Sequence, residues 1–179
     1  MPAAPIPQLG RFGFSGSVVV ARQRKRAMVA IDAYEALFDD PAVGHEARLR
    51  AAYLRLRLGD PVAALAAFAE IAAAGGPADP FVPYLGHFFA GRAHERLGAL
   101  ADAETAYRRA LDVLPGAQSA AVALSARLFQ DGRVDEAYGV MERALAVSPQ
   151  PDDPWRTYGY GDLRFWPALV ARLRAQVTR

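Results

Sequence analysis

No cysteine occurs in the chain. Disulfides, thiolate nucleophiles and sulfur-ligated zinc are therefore excluded, while the redox state of the compartment is left unconstrained. Lysine is almost absent as well: Lys25 is the single one, and every other basic chain is arginine. Together with the abundance of alanine, this reads as GC-rich bacterial coding. No apolar run approaches the roughly 18 residues that a membrane helix needs. The opening stretch, "MPAAPIPQLGRFGFSGSVVVARQ", lacks the basic start and apolar core of a signal peptide. A removed leader would leave no trace, so soluble cytoplasmic and periplasmic or secreted locations both stay open. Net charge is also small: 21 basic against 19 acidic residues leave +2, too little for a face that tracks a phosphate backbone. The most polarised run, "RQRKR" at 22–26, has no interleaved aromatics and no second basic stripe. It reads as the solvated first turns of a helix, and nucleic acid is not expected as a partner.

Chemistry-bearing constellations are equally sparse. The histidines are His45, His87 and His94. His87 and His94 share a helix face, with Glu95 beside one of them, but two imidazoles seven apart do not make a four-ligand site. They are expected to be partly buried structural side chains, and no metal or other cofactor is expected. None of the serines lies in a G-x-S-x-G elbow, and "GFSGSVVV" lacks the lysine and spacing of a phosphate loop. The acid pairs at 39–40 and 152–153 fall at expected helix ends, the second pair as turn formers. An enzymatic role is not expected. A metal-dependent enzyme built on His87 and His94 is the least favoured reading.

What the chain does have is apolar residues (53%) and a period. Three segments align on their turn glycines Gly59, Gly98 and Gly132: "LRLGDPVAALAAFAEIAAAGG", "ERLGALADAETAYRRALDVLPG" and "FQDGRVDEAYGVMERALAVSPQ". Seven residues before each turn the chain is small (Ala52, Gly91, Ser125), and five after it is small again (Ala64, Ala103, Ala137). Nine after come Phe68, Tyr107 and Met141, and twelve after come Ile71, Ala110 and Ala144. Gly76, Pro115 and Pro149 close the segments. Small residues on both sides of a tight turn let two helices approach, the large residue fills the remaining gap, and proline stops the second helix.

This pattern resembles the tetratricopeptide repeat, a 34-residue helix–turn–helix unit with small, aromatic, small and proline positions at these spacings. It is strongest over 84–149 and fair over 43–76. The large aromatic that usually opens the first helix is replaced by Arg48, His87 and Ala121. The first two turns lie 39 apart and the last two 34, the extra residues falling in "AAGGPADPFVPY". Stepping back from Gly59 makes "RAMVAIDAYEALFDDP" the second helix of a half repeat. The resemblance implies an all-α, right-handed α-solenoid of about three hairpins, an N-terminal half repeat and a C-terminal capping helix. The expected organisation is a non-repeat lead at 1–21, the array at 22–149, and an aromatic connector with a capping helix at 150–179. Trp155, Tyr158 and Trp166 are expected to pack around the last repeat, ahead of a cap at 166–178.

In that family the first helix of each pair lines a concave side where peptides commonly bind. The implied role is a non-catalytic scaffold for a protein or peptide partner, with an acidic group or an apolar anchor. The implied groove residues are Leu49, Tyr53, Phe88, Val122 and Phe129 as an apolar floor, edged by Arg92 and Arg96. Members that hold a C-terminal carboxylate use lysine and asparagine on these faces; this chain has neither there, so that docking mode is not expected. Replacing Phe88 and Arg92 together by alanine is expected to abolish capture while leaving helicity and melting largely intact. Two further readings remain: the chain's own N-terminus, "IPQLGRFGFSGSVVV", lies extended in the groove, or the chain is a self-associating structural subunit. Oligomeric state is left open.

Overall fold

The computed structural model describes residues 15–74 and 80–154, and seven α-helices account for most of them. They are α1 (Ser15–Glu35), α2 (Gly44–Arg57), α3 (Pro61–Ala74), α4 (Phe81–Leu97), α5 (Leu100–Val113), α6 (Gln118–Gln130) and α7 (Val134–Ala146). Each packs chiefly on its neighbours in sequence, and α2 also packs on α4. The result is a row of helix pairs, α2–α3, α4–α5 and α6–α7, with α1 standing before the first pair as the half repeat. The Pro/Gly-rich insertion at 75–79 and the capping helix expected at 166–178 lie outside the described residues. α1 begins at Ser15, inside the segment expected to be a non-repeat lead. The stretch 15–20 therefore does not run extended along a groove, which corrects that part of the reading; residues 1–14 lie outside the described residues.

The three hairpin turns are built identically. Gly59, Gly98 and Gly132 have φ of 91°, 73° and 75°, a left-handed conformation in which a Cβ would be strained. At each turn the glycine N–H bonds to the carbonyl three residues back, and the next N–H reaches one carbonyl further. Gly98 donates to Glu95 O (3.1 Å) and Ala99 to His94 O (3.0 Å), and Gly132 and Arg133 repeat this on Phe129 O and Leu128 O (both 3.0 Å). This is the Schellman arrangement, which satisfies carbonyls left over at a helix end.

Between the helices the small residues meet as the spacing predicts. Ala52, Ala64, Ala103, Ala110, Ala137 and Ala144 are buried, as are Phe68, Ile71 and Tyr107. In the third pair the contact is a hydrogen bond, from Ser125 Oγ on α6 to the Ala137 carbonyl on α7 (3.0 Å). The core runs as one band through the pairs. Phe68 meets Phe89 at 5.5 Å between ring centroids, Phe89 meets Phe88 at 5.6 Å, and Phe88 meets Tyr107 at 5.9 Å. Rings tilted at these separations suit their quadrupoles. Where the usual opening aromatic is missing, Arg48 reaches back to the turn after α1, its guanidinium 5.0 Å from the Phe38 ring and donating to the Phe38 carbonyl (3.0 Å).

Candidate functional site: the groove between α4 and α6

The first helices of the second and third pairs leave a groove of about 710 Å³ between them. Its floor and walls include Phe88, Arg92, Leu100, Val122, Ala126 and Arg127. The apolar part has a simple origin. Ser119, Val122, Ala123 and Ala126 of α6 carry short side chains toward the groove, so they leave the space beside α4 unfilled. Val122 and Leu100 keep 54% and 42% of their surface exposed there.

The seven residues expected to form a groove do not share one surface. Phe88, Arg92 and Val122 do line the groove between α4 and α6. Leu49 is 0% exposed and belongs to the core, because its turn of α2 faces the α3 and α4 side of the pair. Tyr53 is half-buried and stacks on Phe89 at 4.8 Å. Arg96 donates from Nη1 to the Leu56 carbonyl, which ties its guanidinium to the C-terminal end of α2. Phe129 is 60% exposed but does not line this groove. Phe88 itself is 4% exposed and packed among Tyr84, Phe89 and Tyr107. The expectation that it can be removed without loss of stability is therefore corrected: truncating a buried ring costs about 3–5 kcal/mol.

Charge in the groove is arranged in pairs. Arg92 Nη1 lies 3.3 Å from Glu95 Oε2. Arg127 is buried, pairs with Asp131, and donates from Nη1 to Gln130 Oε1 (3.0 Å), while its Nε is buried with no hydrogen-bond partner. The Tyr107 hydroxyl is buried near Glu95 and Arg92 with no partner of good geometry, and burial, then the Glu95 carboxylate, push its pKa far above the ordinary phenol value. Arg127 was missed by sequence reasoning. Its signal was present: five residues before the other turns stand Leu54 and Ala93, so a charged residue at this register is out of pattern.

The chain that follows α7 is fastened to the start of α6, beside one end of the groove. Asp153 Oδ2 accepts from the Ser119 N–H at 2.6 Å, and its Oδ1 accepts from the Tyr84 hydroxyl at 3.3 Å. Burial first, then the Asp153 charge and hydrogen bond, raise the Tyr84 pKa far above its usual value. Asp153 is thus more than a turn former.

On the opposite side, between α3, α4 and α5, a second groove of about 550 Å³ contains His87 and His94 with Phe68, Asp102, Thr105 and Arg109. The two histidines share a face, as their spacing implies. His87 is half-buried; burial first, then the Arg109 charge, lower its pKa, and Asp112 opposes them. Among the described residues no group of three or more histidine, aspartate or glutamate side chains is placed to hold a metal ion. Nor is any described helix long and apolar enough to cross a membrane.

Stacked helical hairpins with a groove between successive first helices define an α-solenoid, a class that presents an extended concave surface assembled from repeats. The family is specific. A tetratricopeptide repeat family model matches residues 19–80 and 87–154, well over half of the chain. The chain belongs to the tetratricopeptide repeat family. Such repeats generally mediate protein–protein interaction or scaffolding, and the family is typically non-catalytic. A search of curated proteins returns no match.

Proposed function

We propose that this protein is a non-catalytic scaffold that takes a segment of a protein partner into the groove between α4 and α6. The observation that carries this reading is the pair of exposed apolar residues Val122 and Leu100, set in a concavity of about 710 Å³ beside Arg92 and Arg127. An apolar side chain of the partner sheds water against Val122, Leu100 and the edge of Phe88. Backbone carbonyls or a carboxylate of the same segment then compete with Glu95 for Arg92, a charge-assisted contact strengthened by the apolar surroundings. Arg127 is held by Asp131 and Gln130 and gives the wall its rigidity.

The test is selection of binding peptides from a displayed random library with the full chain, followed by affinity measurement on variants. Peptides that depend on the groove lose binding to Val122→Asp, because a carboxylate enters an apolar contact, and weaken against Arg92→Ala. Peptides that bind both variants as well as they bind wild type would remove the groove from the account.

A second reading has its own observation. Val134, Tyr138 and Leu145 lie exposed along α7 at helical spacing, a stripe fitted to the next helix of a stack. A self-associating subunit would use it, and its mark is a molar mass by light scattering that rises with protein concentration.

A further inference from the structure

The first and last helices of the row carry unpaired charge of opposite sign beside exposed apolar side chains. α1 packs chiefly on α2, and among the described residues Ile31 is its one buried side chain. Met28 and Val29 lie exposed on it. Arg24, Lys25 and Arg26 stand three or four residues before them, one turn away on the same surface. Asp32 follows a turn later, and the surface keeps a net positive charge with it counted. α7 packs chiefly on α6. Its exposed stripe of Val134, Tyr138 and Leu145 is edged by Asp135 and Glu142, which stand three or four residues from Tyr138. The other charges of α7 are engaged elsewhere: Glu136 pairs with Arg133 and Arg108, and Arg143 lines a cleft shared with α5. Among the described residues none of Arg24, Lys25, Arg26, Asp135 and Glu142 has an ion-pair partner.

We propose that a second copy of this chain docks on these faces head to tail. The α1 face of one copy meets the α7 face of the next, with the cations of α1 opposite Asp135 and Glu142 and with Met28 and Val29 against the apolar stripe. Charge selects this pairing. Two α7 faces would bring carboxylates together and two α1 faces would bring cations together, whereas α1 on α7 compensates both. Continuity of the row favours it as well. A helix pair buries its apolar side against the next pair, and here α1 opens the row while α7 ends the pairs. The lengths match, since Val134 to Leu145 and Arg24 to Glu35 each span about 17 Å at ~1.5 Å per residue. Such a contact is heterologous: it leaves one α1 face and one α7 face open at the ends, so association continues past the dimer. Neither face includes a residue lining the groove between α4 and α6. The inference rests on the reading of a self-associating subunit and adds which two surfaces meet.

The test is light scattering of the full chain over a concentration series, on wild type and on two charge-reversed variants. One carries Lys25→Glu with Arg26→Glu, the other Asp135→Lys with Glu142→Lys, all at exposed positions. Wild type gains mass with concentration, and added salt weakens the gain. Each variant needs a concentration at least about tenfold higher for the same mass, because like charges then face each other. Circular dichroism shows unchanged helicity in both. An equimolar mixture of the two variants regains the wild-type curve, since each supplies the charge that the other requires. A mass of one chain at every concentration overturns the inference and the self-associating reading together. Association that persists in the Lys25→Glu, Arg26→Glu variant overturns the inference alone and leaves the copies meeting through another contact. So does a mixture that stays monomeric while both variants are folded. The peptide selection reads the groove, so its failure is a separate result.

Discussion

Gly91 is where two helices of one pair come closest. It is buried, and a Cβ added there would lie 2.6 Å from Tyr107 Cδ1, against a ring that is itself fully buried and flanked by Phe88. Gly139 contrasts with it. It also lies inside a helix, but its added Cβ would meet only the tip of Arg143 at 3.2 Å, the movable end of a long side chain. Alanine improves helix propensity by about 1 kcal/mol at both positions. At Gly91 that gain is outweighed, since forcing a methyl into a filled core costs about 1–3 kcal/mol. Gly91→Ala is therefore expected to lower the urea midpoint and Gly139→Ala to raise it; equal shifts would show that Tyr107 yields freely. The close approach was legible from the sequence, because Gly91 stands where Ala52 and Ser125 stand in the other repeats. The burial of Phe88 was not. Its position looked like Val122, which is exposed, and what separates them is the neighbour: the Tyr107 ring packs against one, and the other sits among short side chains of α6 at an open groove.

At the scale of elements, α6 has no capping side chain at its own N-cap, as is also true of α2, α4, α5 and α7. Its N-cap is Ala117, which offers no side-chain oxygen to the first-turn N–H groups. The missing acceptor comes from 34 residues away, where Asp153 takes the Ser119 N–H. A carboxylate at that end is also favoured by the helix dipole. Loss of an N-cap acceptor costs about 1 kcal/mol, within roughly 0.5–2. Asp153→Ala is thus expected to lower stability by about that amount, while Asp152→Ala, at an exposed neighbour with no hydrogen bond to α6 among the described residues, shifts it by less than about 0.5 kcal/mol. Denaturant titration of the pair checks this; indistinguishable midpoints would reduce Asp153 to a turn residue. The turns were readable because Gly59, Gly98 and Gly132 need only local geometry. The cap was not, because the bond that defines it joins parts of the chain with no sequence relation. Asp40 shows the local counterpart. Its carboxylate sits beyond the end of α1, yet it accepts from the Ala42 N–H at 2.8 Å, turning an unfavourable charge at a helix end into part of the next turn.

At the scale of the whole molecule, stability is distributed along a row. α4 packs on α2, α3 and α5, whereas α1 contacts chiefly α2, and α7 chiefly α6. The most buried large side chains, including Tyr84, Phe89, Tyr107 and Phe68, cluster at α3, α4 and α5. In an array whose stability is a sum over neighbours, the middle opens last. Amide exchange is accordingly expected to be slowest in α4 and α5 and faster in α1 and α7. Uniform protection across the described helices would mean that the array unfolds as one unit. By itself the sequence determined the pairs and their order, because small, large and turn residues recur at spacings that only adjacent helices can use. Only the tertiary structure decided which aromatics are core and which face a groove, and where the chain goes after α7. Those depend on contacts between repeats, such as Tyr84 with Asp153, and a period within repeats carries no information about them.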